Sequence, residues 1–258
     1  MGSHLVIDDI SEGDEHGSHI LASLYKVSRF NLWMGQTLAP YIGQRVLEIG
    51  AGIGTLTSEF IPREQYLASD INPSYLAFLE SYRAGKPYLS VQRIDAAVSA
   101  DFADLEEQFD TALMINVLEH VPDEQVALDN IRYSLRPGGR AVILVPQHPA
   151  LYGSLDLALE HRERYTRSSL REGLERAGFR VERIFDFNRF SVPGWWFNGK
   201  VLRRKTLSRF QMHVLQISMP LLHRLDPLLP WGGLSLIAIA TRVSSVDSLV
   251  QIGGSKPA

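Results

Sequence analysis

From Arg45 onward, short apolar runs alternate with stretches whose apolar positions return every three or four residues. The runs at 46–49, 66–69, 90–94, 111–115 and 141–145 are rich in apolar or β-favouring residues and read as strands, with helices between them. Pro73 suits the first turn of a helix running to about Ala84. Asp123 can cap a helix running to Leu135, where Arg136, Pro137, Gly138 and Gly139 supply stop signals. A loop with Pro146 and Pro149 follows, then a helix around 170–177 closed by Gly178, and strands near 181–187 and 234–240. Strand and helix in alternation predict an α/β fold: a doubly wound, mostly parallel seven-stranded sheet with helices on both faces.

The flanks break this pattern. Residues 8–15 are polar and acidic, and Ile20, Leu21, Leu24 and Tyr25 follow at helical spacing, so 1–40 reads as an N-terminal helical segment. The stretch 188–233 is too long for a hairpin loop and reads as a helical insertion, leaving 41–187 with 234–243 as the core and 244–258 as a flexible tail.

Composition narrows the function classes. A chain of 258 residues, 45% hydrophobic and 21% charged, can bury one large core and lies outside the disordered classes. A net charge of −3 gives no global attraction for polyanions, and no nucleic-acid partner is expected. The absence of cysteine excludes disulfides, thiolate metal sites and cysteine nucleophiles. Without a ligand spacing such as His-Glu-x-x-His, no metal is expected either. No apolar run reaches the roughly 18 residues of a membrane span. The first residues lack the basic start and apolar run of a signal peptide, which makes a cytoplasmic location the expectation.

The strongest chemical signal is a strand running into Gly50-Ala51-Gly52-Ile53-Gly54 and then a helix. Glycines there let the backbone turn sharply and let a ligand approach closely. Asp70 follows Gly50 by 20 residues, after a second strand, a spacing that suits a carboxylate accepting from ribose hydroxyls. The spacing G-x-G-x-G, with Glu48 just before it, departs from the dinucleotide G-x-G-x-x-G and weakens a nicotinamide or flavin reading.

Together with Asp95-Ala96, Asn116-Val117-Leu118-Glu119-His120 and Leu135-Arg136-Pro137-Gly138-Gly139, these residues resemble the class I S-adenosylmethionine-dependent methyltransferases, in order as well as identity. The resemblance implies a Rossmann-like fold, S-adenosylmethionine as methyl donor and S-adenosylhomocysteine as product. It implies that Gly50, Ala51, Gly52 and Gly54 pass under the methionine part of the donor, with Glu48 supporting its amino group. Asp70, with Ile71 beside it, would hold the ribose; Asp95 and Ala96 would meet adenine; Asn116 and Val117 would line the turn after the fourth strand. Near the N-terminus, Tyr25, Arg29, Asn31 and Trp33 resemble the helix that closes over the donor, with Arg29 a candidate carboxylate contact.

A methyl on sulfonium already has a good leaving group, so such a protein mainly aligns the acceptor and removes its proton where needed. A hydroxyl acceptor benefits from a base, and histidine titrates in the right range. His120 and His148 follow the fourth and fifth strands and are the leading candidates, with His161, Tyr152 and His213 behind them. The segment Glu160-His161-Arg162-Glu163-Arg164-Tyr165-Thr166 resembles one found before the next helix in many bacterial methyltransferases, where it braces the active-site wall. Thr166 also reads as a helix cap.

The expected function is methyl transfer to a small-molecule acceptor, oxygen preferred over nitrogen, with a lipid-like or glycosylated acceptor as a variant. A non-catalytic cofactor-binding scaffold is the alternative, and a nicotinamide oxidoreductase would need hydride-transfer machinery that the sequence does not display. The insertion combines Trp195, Trp196 and Phe197 with Lys200, Arg203, Arg204 and Lys205. Residues 193–222 therefore suit an acceptor pocket, a peripheral membrane or lipid contact, a subdomain core or a dimer face, in a monomer or homodimer.

Overall fold

The computed structural model describes residues 28–206 and 208–243. Seven strands form one sheet: β1 (Arg45–Ile49), β2 (Gln65–Asp70), β3 (Leu89–Arg93), β4 (Phe109–Ile115), β5 (Leu135–Pro146), β6 (Phe179–Phe187) and β7 (Ser235–Arg242). Their spatial order is β3-β2-β1-β4-β5-β7-β6. The pairs β1/β2, β2/β3, β1/β4 and β4/β5 are parallel, and β7 runs antiparallel to both β5 and β6.

Central strands covered on both faces must be apolar along their whole length, and β1 shows it: Val46, Leu47 and Ile49 are all buried. Alternate residues feed two cores. Leu47, Met114 and Ile143 face one, with Ile131 and Leu174 from the helices; Val46, Leu113 and Val142 face the other, with Phe60 and Leu79. After β1 the chain steps outward to β2 and β3, then returns across β1 to β4, so the sheet order reverses between β1 and β4. Open α/β sheets hold ligands at the carboxyl ends of strands at that reversal.

Helices α1 (Ser28–Leu38), α2 (Thr57–Phe60), α3 (Pro73–Arg83), α4 (Glu124–Ser134), α5 (Ser154–Ala158) and α6 (Arg167–Arg176) accompany the sheet. Their caps follow from sequence: Asn72 accepts from the Ser74 amide, Asp123 from those of Gln125 and Val126, and Thr166 from that of Ser169. Between β6 and β7 lie α7 (Ser191–Trp196), a π-helical turn (Phe197–Val201) and α8 (Arg209–Leu225).

One expectation needs correction. The helix stop expected at Leu135 to Gly139 is present, α4 ending at Ser134 with Leu135 as its C-cap, but the next strand, expected at 141–145, already begins at Leu135. Leu135 pairs with Phe109, the register shifts, and pairing resumes at Thr111 with Arg140. Gly138, with φ 77°, lets the residues between bulge out of the ladder. The apolar positions Ile20, Leu21, Leu24 and Tyr25, and the tail 244–258, lie outside the described residues.

Candidate active site

The glycine turn begins where β1 ends. The Ala51 amide donates to Ser69 O at 2.8 Å and the Gly52 amide to Asp70 Oδ2 at 2.8 Å, which ties the turn to the end of β2. Gly50 and Gly52 have φ of 71° and 57°, a region disfavoured for residues with a Cβ. Their surroundings differ. A Cβ on Gly50 would lie 2.3 Å from Val117 Cγ2, whereas one on Gly52 would meet nothing within 4 Å. Gly50 is therefore packed against the loop after β4, and Gly52 presents bare backbone to open space.

Asp70 is buried, and its other oxygen accepts from the Asn72 amide at 2.9 Å; burial, partly offset by these amides, raises its pKa. Ile71 beside it is 56% exposed, an apolar side chain open to solvent at the end of β2. Asp95 Oδ1 accepts from the Ala97 amide at 2.9 Å, and Ala96 O is held by Asn130 Nδ2 at 2.9 Å, so the turn after β3 has a fixed shape. Asn116 is exposed with φ 53°, its amide donating to Leu144 O. Glu48 points into the core: Oε2 accepts from Thr57 Oγ1 at 2.5 Å and from Tyr66 OH at 2.8 Å, and desolvation raises its pKa. There it ties β1 to β2 and to the start of α2.

Beyond Val117, a 3-10 turn (Leu118–His120) carries the second group. The donor atoms of Glu119, His120 and His161 lie within 4.8 Å of one another, a set able to hold a divalent cation. The rings of His120 and His161 meet edge to face at 5.1 Å. His161 is fixed from behind, Nδ1 lying 3.0 Å from Asp156 Oδ1. Asp156, fully buried, also accepts from Arg164 Nε at 2.7 Å and from the Gly153 amide at 2.9 Å. Arg164 in turn donates to Gln147 O and stacks on Trp195 at 4.9 Å. The network thus joins the β4 loop, the segment before α6 and the insertion.

Protonation follows from these surroundings. Glu119 is buried, neither carboxylate oxygen has a normal hydrogen bond from a neighbour, and desolvation pushes its pKa up to about 8. His120 is exposed as a residue, but desolvation of its ring, with an electrostatic contribution from the neighbouring His161 ring, lowers its pKa to about 4. Burial would raise Asp156, but hydrogen bonds from His161, Arg164 and Gly153 outweigh it and hold the carboxylate ionised.

The other sequence candidates separate. Tyr152 OH donates to His161 O at 2.7 Å and so braces the cluster. The His148 amide donates to Tyr165 O at 3.1 Å, and its ring lies against Gly232 beside Asp186. Arg29 and His213 are exposed on α1 and α8. Asn31 is buried, and Trp33 packs on Phe187 at 4.2 Å and faces His223 at 5.6 Å. Asp156 was not singled out from sequence; its only signal is an acid five residues before a histidine.

The methyltransferase-domain family model matches residues 26–184. The chain belongs to that family and carries a methyltransferase domain of the S-adenosylmethionine-dependent kind. It is 29% identical over 133 residues to the ubiquinone biosynthesis O-methyltransferase of Aeromonas salmonicida, covering 50% of this chain and 55% of that one. It is 26% identical over 181 residues to the tRNA U34 carboxymethyltransferase of Syntrophotalea carbinolica, covering 64% and 55%. The chain thus spans about half the length of these relatives. The S-adenosylmethionine dependent methyltransferase from Mesorhizobium loti shares the fold, with TM-score 0.55 at 16% identity, covering 81% of this chain and 96% of that one.

Proposed function

We propose that the protein methylates a hydroxyl group of a small, lipophilic acceptor, and that the site is the crevice between the glycine turn and the His120–His161 pair. The observation that carries this reading is the close packing of Gly50 on Val117, which sets the donor-binding turn beside the loop bearing Glu119 and His120. The residues fit the donor: Gly52 leaves open space over the turn, and Asp70 offers a buried carboxylate at the end of β2. When bound, S-adenosylmethionine supplies a methyl on sulfonium and leaves as S-adenosylhomocysteine.

The acceptor oxygen forms a bond to the methyl carbon as the carbon–sulfur bond breaks. Its proton passes to the imidazole pair, where Asp156 stabilises the charge gained by His161. Trp195, reaching Arg164 from the insertion, links acceptor binding to this pair. Several O-methyltransferases among the relatives favour oxygen as the acceptor atom.

Calorimetric titration with S-adenosylmethionine, S-adenosylhomocysteine and NADH tests the donor, with Asp70→Ala expected to weaken the first two at least about tenfold. Labelled methyl transfer into lipid and polar extracts then tests the acceptor. His161→Gln should lower kcat while donor affinity stays. Preference for NADH would sink the proposal, and donor binding without transfer to any acceptor would leave a cofactor-binding scaffold.

A second reading of the same cluster is favoured by the bare carboxylate of Glu119: with His120 and His161 it would hold a divalent cation that lowers the acceptor's pKa. Chelator dialysis followed by re-addition of manganese or zinc separates the two, because activity that survives complete metal removal leaves only the imidazole route.

A further inference from the structure

Charge is distributed unevenly along the chain. Residues 191–225 hold six of the 26 Lys and Arg and none of the 29 Asp and Glu, so this stretch carries +6 while the remainder carries −9. The same stretch exposes apolar surface. Along α8, Phe210, Val214, Ile217, Leu221 and Leu225 are exposed, and Leu228 just beyond the helix is 76% exposed. The spacing of the five helical positions puts them within about 80° of the helix circumference, one stripe along about 22 Å of helix that Leu228 prolongs. Trp196, Phe197, Val201 and Leu202 add exposed apolar surface on the preceding turns, among Lys200, Arg203 and Lys205.

This is not a misfolded core face. The opposite side of α8 is packed, with Met219 buried, Gln211 Nε2 donating to Asn198 Oδ1 at 3.1 Å, and His223 against Trp33. A helix docked on one side, with a continuous apolar stripe on the other and cations but no acids beside it, has the chemistry of a helix lying in a membrane interface. No helix among the described residues is long and apolar enough to cross a membrane.

We infer that α8 and the preceding turns form a docking surface for a membrane carrying anionic lipid, the stripe entering the headgroup boundary and the basic residues meeting lipid phosphates. Charge complementarity selects this occupant. A second copy of the chain would set +6 against +6, and a nucleic acid would leave the apolar stripe unburied. The surface lies next to Trp195 and so would bring a lipid-borne acceptor to the crevice, but the inference stands without the methyl-transfer reading, because its test is binding.

The test is sedimentation of the full chain with vesicles of phosphatidylcholine alone and of phosphatidylcholine with phosphatidylglycerol, at low and high salt. The expected result is binding to the anionic vesicles that weakens with salt. Lys200→Gln, Arg203→Gln and Lys205→Gln together should weaken it about a hundredfold. Phe210→Ser with Ile217→Ser and Leu221→Ser should abolish it, while circular dichroism and donor affinity stay as in the parent. Equal binding to both vesicles, or no binding to either, overturns the inference. Self-association by light scattering that the stripe variant removes, without vesicle binding, would assign the face to a second copy instead.

Discussion

A Cβ placed on Gly50 would stand 2.3 Å from Val117 Cγ2, so the glycine turn and the loop after β4 are in contact through a residue that has no side chain. The φ of 71° adds strain for any L residue. Gly50→Ala should therefore cost more than the ~1 kcal/mol expected of left-handed backbone alone, because Val117 must move or the turn must open. Gly52→Ala, with φ 57° and free space, should show only the backbone cost. Thermal unfolding of both variants checks the order. Donor affinity should fall in both, in Gly50→Ala through displaced backbone and in Gly52→Ala through a methyl in the crevice.

Glu119 gives the metal-free protein a pH dependence of unusual sign for a carboxylate. Its folded pKa, about 8, lies above the unfolded value, so the unfolded state releases its proton first as pH rises. The neutral carboxyl is tolerated in acid, and stability should decline from about pH 4.5 to about pH 8. Glu119→Gln should flatten that decline in unfolding midpoints measured across the range. A decline of equal size in the variant would show that Glu119 is not its source.

Asp186 should act in the opposite direction. Burial would raise its pKa, but the Gly233 amide at 3.0 Å, Arg189 at 3.0 Å and Arg167 at 2.5 Å outweigh it and hold the carboxyl below its ordinary value. A depressed folded pKa contributes stability above the unfolded carboxylate value and loses it as pH falls through the folded one. Acid titration of unfolding midpoints should show this loss, and Asp186→Asn should remove part of it.

The strands and the glycine turn were legible because both are local. Continuous apolar runs mark strands covered on both faces, and the glycines, Asp70 and Asp95 each sit at a fixed offset from a strand end. Leu135 to Gly139 marked the helix end correctly, but their Pro and Gly hid the first, bulged residues of β5, which only pairing with Phe109 reveals. The cluster was half legible. His120 and His161 could each be named, but 41 residues separate them, and nothing local says that the segment before α6 folds back beneath the β4 loop. Asp156 was hidden for the same reason, its partners Arg164 and Trp195 lying 8 and 39 residues away.

Arg164 supplies the most direct test of that fold-back. Its side chain is 1% exposed, and Asp156, with none of its side chain exposed, is its carboxylate partner. Asp156→Ala would leave a guanidinium buried without its counter-charge, which typically costs about 3–5 kcal/mol, and would release His161 as well. Asp156→Asn removes the counter-charge as well, but it keeps the shape and an oxygen for the hydrogen bonds from Gly153 and Trp195, so it should destabilise less. Its larger effect should be on kcat, because His161 loses the group that stabilises its protonated form. If the asparagine variant transferred methyl at the parent's rate across the neutral range while the alanine variant unfolded, the Asp156–His161 pair would be a structural brace, and the acceptor's proton would leave by another route.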